Sequence, residues 1–193
     1  MSKVILDANV LYSNTLRNLM LWLSWNNLIE VFWSEEIWSE VFRNYSKDQK
    51  RNEDFKNHTA NTVMIKFESA MKPLKLDYIT VGLPDKDDEH VVALARQENI
   101  KVILTFNLYD FPEKILAIHQ IQAVHPDIFL CDLFQKNPNE VKETIFNLMS
   151  ESKKTKPTKL RYFEALAKAN LKSFATKLED TNRAGNLFPE VWP

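Results

Sequence analysis

Lys3-Val4-Ile5-Leu6-Asp7-Ala8-Asn9 is echoed in mid-chain by Lys101-Val102-Ile103-Leu104-Thr105-Phe106-Asn107. Each stretch runs Val, Ile and Leu straight into polar residues. A continuous apolar run of this kind fits a strand buried on both faces, as in a parallel sheet covered by helices. In open α/β sheets, ligands sit beyond the carboxyl ends of the strands. Asp7 and Asn9 after the first run, and Thr105, Asn107 and Asp110 after the second, are therefore expected at one site. The expected fold class is α/β.

The chain has 193 residues, 45% of them hydrophobic and 26% charged, with only two glycines. That is globular composition, and a chain of this length should bury about 70% of the surface exposed when unfolded. The net charge of -1 hides an asymmetry: residues 151–193 carry nine Lys and Arg against five Asp and Glu. We expect residues 1–150 to form the main domain and 151–193 a basic, mostly helical extension, which is either a solvated face or a surface attracting phosphates. Cys131 is the only cysteine, so there is no intrachain disulfide and a reducing, cytoplasmic setting is expected. It reads as a small apolar filler rather than a catalytic thiol. Neither a signal-peptide pattern nor a membrane-length apolar run is apparent.

Further along, Leu16 to Trp25 reads as a helix apolar around most of its circumference, suited to core or to self-association and partner binding. Asn26-Asn27 should end it, with Val31-Phe32-Trp33 extended. Ser34 is a plausible N-cap for a helix to about Tyr45, with Glu35 and Glu36 in its first turn. A loop is expected over Ser46 to Asn52, then a helix to about Met71. Tyr78 to Val81 should be a strand. A helix from about Asp88 to Glu98 and a strand over Lys101 to Thr105 would complete a βαβ unit. Pro112 to Gln120 reads as helix, Ile121 to Val124 as strand, and Asp127 to Phe134 and Asn139 to Ser150 as helices. A basic link from Lys153 to Thr158 precedes a helical region from Leu160 to Leu178.

Asp7 carries the sharpest functional signal, because an ionised carboxylate at the end of a buried strand is costly unless paired, hydrogen-bonded or bound to a cation. Its structural alternative is a turn with the backbone near Asn9. Glu40 is expected at the edge of an inward stripe of Ile37, Val41 and Asn44. Asp85, Asp87, Asp88 and Glu89 crowd one helix start, where one acid serves as cap, and which of Asp85, Asp87 and Asp88 faces inward stays open. His90 should face elsewhere on that helix, and His58, His119 and His125 show no zinc-type spacing. Acids from separate elements meeting at one sheet edge suit hard cations such as Mg²⁺ or Mn²⁺, and with them displacement at phosphorus.

Four pieces then resemble the PIN-domain nucleases, in that family's order: Val4-Ile5-Leu6-Asp7-Ala8-Asn9-Val10-Leu11, Trp33-Ser34-Glu35-Glu36-Ile37-Trp38-Ser39-Glu40, Asp88-Glu89-His90-Val91-Val92-Ala93-Leu94-Ala95, and Leu104-Thr105-Phe106-Asn107-Leu108-Tyr109-Asp110-Phe111-Pro112. With His125-Pro126-Asp127-Ile128-Phe129-Leu130 and a helical extension, the chain is most similar to toxin-type PIN proteins of the VapC kind. The resemblance implies a three-layer α/β/α fold and a Mg²⁺- or Mn²⁺-dependent ribonuclease, often neutralised by a cognate antitoxin. It implies an acidic quartet of Asp7, Glu40, Asp88 and Asp110, supported by Asn9, Thr105 and Asn107, with Asn107 an alternative to Asp110. RNA, an antitoxin and a homodimer partner are the partners expected. Two other readings compete: a PIN-fold RNA-binding or assembly protein without cleavage, and a Mg²⁺-dependent phosphatase, which would favour an acid where Asn9 stands.

Overall fold

The computed structural model describes residues 1–45, 59–75, 81–151 and 158–183. The expected loop over Ser46 to Asn52, Tyr78 to Thr80 of the expected strand, and the link from Lys153 to Pro157 lie outside the described residues. In chain order the elements are β1 (Ser2–Leu6), α1 (Ala8–Tyr12), α2 (Asn14–Trp25), β2 (Ile29–Phe32), α3 (Glu35–Tyr45), α4 (Asn61–Lys66), α5 (Glu89–Gln97), β3 (Val102–Leu104), α6 (Glu113–Ala117), β4 (Gln122–Val124), α7 (Pro126–Lys136), α8 (Pro138–Ser150), α9 (Lys159–Lys168) and α10 (Lys172–Arg183). Short 3-10 turns span Glu68–Ala70 and Lys86–Asp88.

The fold class is the α/β one, a central parallel sheet flanked by helices. The two echoed strands are neighbours: Val4, Ile5 and Leu6 pair in parallel with Val102, Ile103 and Leu104, and β3 pairs with β4, giving the order β2-β1-β3-β4. Their apolar runs are continuous because Val4, Ile5, Leu6, Ile103 and Leu104 are all buried. By internal contacts the chain forms two units, one of Ser2–Tyr12 and Glu30–Val124, and the other of Ser13–Ile29 with the residues from His125 onward.

In the sheet unit, Ser34 accepts a hydrogen bond from the Ile37 N–H at 3.4 Å and starts α3 as expected. Of the expected inward stripe, Ile37 and Val41 are buried as expected, Asn44 is exposed, and Trp38 is buried beside them. Trp38 claims the core by packing edge-on against Trp33, ring centres 6.1 Å apart. The helix expected to reach Met71 stops at Lys66, where Phe67 leaves helical geometry. The segment is drawn instead to Trp33, whose N–H donates to the Ala70 carbonyl at 3.1 Å and whose carbonyl accepts from Lys72 at 2.9 Å. An unexpected helix, α1, begins at once after Asp7, whose carbonyl accepts from Val10 and Leu11.

The other unit is helical. Five of the seven apolar residues expected on α2 are buried, which settles most of that helix as core; Trp22 is half-buried and Trp25 is 62% exposed. The helical region expected from Leu160 to Leu178 consists of two helices, separated at Asn170. Asn27, Asn99 and Asn170 all take positive φ just past helix ends. In a chain with two glycines, asparagine fills the left-handed position that closes a helix. Cys131 is buried, and burial pushes its thiol up, the opposite of an activated nucleophile. No described helix is long and apolar enough to cross a membrane.

The start of α10 is capped from a distance. Asp127, on the first turn of α7, accepts from the Phe174 N–H at 2.8 Å with one oxygen and from the Ser173 N–H at 3.0 Å with the other. These are two of the otherwise orphaned donors of α10, and a carboxylate there also complements the helix dipole. Phe134 and Phe174 pack edge-to-face beside it, 6.1 Å between ring centres. Asp127→Ala should therefore destabilise the protein by about 2 kcal/mol, the cost of leaving buried donors unmet at a capped helix start. Urea unfolding measures this, with Asp132→Ala at an exposed position of the same helix expected within about 0.5 kcal/mol of wild type.

Candidate metal centre

Asp7 is 2% exposed at the carboxyl end of β1. Its N–H continues the sheet to the Leu104 carbonyl at 3.1 Å, which fixes the backbone before the side chain acts. One carboxylate oxygen, Oδ1, accepts from the Ala8 N–H at 2.7 Å. The other, Oδ2, accepts from Asn9 Nδ2 and from the Thr105 hydroxyl, both at 2.6 Å. The turn-forming and functional readings of Asp7 are thus not exclusive, since the backbone bond uses one lone-pair position of Oδ1 and leaves another open.

Asn9 and Thr105 join the ends of β1 and β3. Asn9 Nδ2 also donates to Thr105 Oγ1 at 2.9 Å, and its Oδ1 accepts from the Phe106 N–H at 3.2 Å. The Thr105 hydroxyl donates to Asp7 while accepting from Asn9 and from the Asn107 N–H at 3.0 Å, so its donor and both acceptor positions are in use. Asn107 in turn donates its side-chain amide to Asp110. Asn107 and Asp110 are thus hydrogen-bonded neighbours.

Among the described residues, two groups of carboxylates lie close enough to share a cation. Asp7, Glu40 and Asp88 each offer an oxygen within 4.8 Å of the others, and so do Asp85, Asp88 and Asp110. Asp88 belongs to both. All four acids expected from the sequence are therefore brought to one end of the sheet, although Asp110 joins through Asp85 and Asp88. Oxygen-only donors from four separate segments suit a hard divalent cation.

The PIN domain model matches residues 3–109, more than half of the chain. This chain belongs to the PIN domain family. A 62-residue stretch is 40% identical to a Mycobacterium tuberculosis protein described as "Putative ribonuclease VapC50", covering 32% of this chain and 37% of that protein. The present chain thus spans little more than a third of the relative it matches. No solved structure matches at a comparable level of significance.

In this PIN domain the acids raise one another's proton affinity. Burial pushes Asp88 up to about 7, with the charges of Asp7, Glu40, Asp85 and Asp110 adding to it. Burial and then the Asp7 charge push Glu40 up, while Arg43 opposes. Asp7 is raised by burial against the pull of its bonds to Thr105, Ala8 and Asn9.

One neighbour departs from expectation. His90, expected to face away, lies with Nε2 3.9 Å from Glu40 Oε2. Asp88 closes a 3-10 turn and α5 starts only at Glu89, so ideal α-helical angles do not separate positions 88 and 90. Asp85 caps that turn by accepting from the Asp87 N–H at 2.9 Å and still reaches Asp88 and Asp110. Glu89, buried, accepts from the Gly82 N–H at 2.8 Å and ties the preceding segment to α5.

An acid whose folded pKa is raised contributes stability below its unfolded value and loses that contribution as pH rises through the folded one. For Asp88 the window runs from about pH 4 to about 7. Asp88 makes no capping hydrogen bond with its side chain, so Asp88→Asn removes charge without removing a cap. In EDTA, the variant is expected to melt at or above wild type at pH 7.5 and to match it near pH 4. A variant plainly less stable than wild type at pH 7.5 would overturn the repulsive cluster.

Proposed function

We propose that this PIN domain is a Mg²⁺- or Mn²⁺-dependent endoribonuclease, acting in the cytoplasm as the toxin of a toxin–antitoxin pair. The observation that carries the reading is Asp88's membership in both carboxylate groups, which makes one continuous oxygen-donor surface at the sheet end. Asp7 and Asp88 are the main ligands in this reading, with Glu40 and Asp110 completing the pocket. A bound divalent cation supplies neutralising charge for a phosphodiester and lowers the pKa of water. Asp7, gripped by three donors, offers a fixed oxygen; Asn9, Thr105 and Asn107 keep it and Asp110 in place. Asp88, raised to about 7, would give up its proton as a cation binds.

Similarity to a protein described as a ribonuclease supports RNA as the substrate, and its VapC name supports a cognate antitoxin as partner. The phosphatase alternative loses ground because Asn9 already spends both ends of its amide on Asp7, Thr105 and Phe106. A homodimer through α2 has little support, since that helix is mostly core.

Purified protein should cleave single-stranded RNA with Mg²⁺ or Mn²⁺ and stop in EDTA. Asp7→Asn should lower the rate by about 10²-fold or more, the usual loss for a positioned catalytic group. Metal-independent cleavage, or near-normal cleavage by folded Asp7→Asn, would sink the mechanism. RNA binding without any cleavage would favour the assembly-protein reading.

A further inference from the structure

Tyr109 is 84% exposed, more than any other large apolar side chain among the described residues, and its chain neighbour is Asp110 of the acidic centre. Its loop is nevertheless anchored. The Asn107 N–H is held by Thr105 Oγ1 at 3.0 Å, and the Asn107 side chain donates to Asp110. On the other side, the Phe111 N–H donates to the Leu108 carbonyl at 3.3 Å and the Phe111 ring is buried. The backbone before Tyr109 is thus tied to the site, and a turn anchored by the buried Phe111 closes the loop after it, while the ring stands in solvent.

We propose that Tyr109 is a stacking platform for an unpaired nucleobase of the RNA whose phosphodiester sits at the acidic centre, an inference that rests on the ribonuclease reading above. The stretch from Thr105 to Pro112 contains no Lys or Arg, and the adjacent carboxylates repel phosphate. Affinity on this side of the site must come from something other than charge. A fixed, exposed aromatic ring supplies it, because every base has a π-face and stacking tolerates sequence. Leu108, 41% exposed, is the only other apolar side chain exposed on this loop. So small a patch falls far short of the roughly 800 Å² per partner of a stable protein interface. Stacking on an open ring also requires an unpaired base, so the substrate is single-stranded at the site.

The test measures binding of a fluorescent single-stranded RNA, with Mg²⁺ present, in the Asp7→Asn background so that RNA is held without being cut. Adding Tyr109→Ala should weaken binding about tenfold, within the range of one base–aromatic stack, whereas Tyr109→Phe should stay within about twofold. An RNA carrying abasic residues near the centre of its footprint should bind weakly and be indifferent to Tyr109→Ala. Cleavage by the single Tyr109→Ala variant should show a raised KM with kcat nearly unchanged. Equal binding with and without the ring overturns the inference, as does a loss with Tyr109→Phe as large as with Tyr109→Ala, or an equal loss on abasic RNA. Tyr109→Ala that keeps RNA affinity but loses a protein partner also overturns it. If the Asp7→Asn protein binds no RNA and the wild type cuts none with Mg²⁺ or Mn²⁺, this inference and the ribonuclease reading fall together. If RNA binds and only Tyr109 proves silent, the ribonuclease reading stands.

Discussion

The Asp7 carboxylate, held out of water at the end of β1, is the constraint around which the sheet unit is arranged. A buried carboxylate without partners would be costly, and here three short hydrogen bonds offset that cost. Two of the donors come from side chains that stitch β1 to β3, and the third from the residue that opens α1. Thr105 spends its whole hydrogen-bonding capacity in this way, and through Asn107 the same network extends to Asp110. The geometry of the candidate centre is thus a sequence of polar contacts leading outward from one buried oxygen.

Electrostatics work against this arrangement. Asp7, Glu40 and Asp88 are each pushed toward protonation by burial and by neighbouring acids. The sheet holds them together through strand pairing and helix packing, not through mutual attraction. A ligand that binds only the folded state stabilises it by mass action, about 2.7 kcal/mol at a hundred times its dissociation constant, so a cation at this site would act on stability as well as on chemistry.

The strands were legible because burial on both faces leaves a simple signature, the continuous Val, Ile and Leu runs of β1 and β3. Asp7, Asn9, Thr105, Asn107 and Asp110 could be brought together on paper because they follow those runs directly. The identity of the inward acid near Asp88 was not legible: it depends on a short 3-10 turn, which sequence periodicity does not announce. The same turn placed His90 beside Glu40 and let Asp85 join Asp88. On α3, Ile37 and Val41 face inward as their spacing predicts, but Trp38 rather than Asn44 completes the buried face, because two large rings, Trp33 and Trp38, settle the packing. The early stop of α4 and the pairing of Met71 with Trp33 are non-local, so no window along the chain could have shown them.

The contact between Asp127 and the start of α10 joins residues more than forty positions apart. Because of it, the last described helix is no detachable tail. A chain shortened before Leu171 would strip a buried carboxylate of both its N–H donors and uncover the Phe134 ring. For heterologous expression, a boundary drawn at the end of the family match, or anywhere short of α10, would yield a protein prone to aggregate for reasons unrelated to its chemistry.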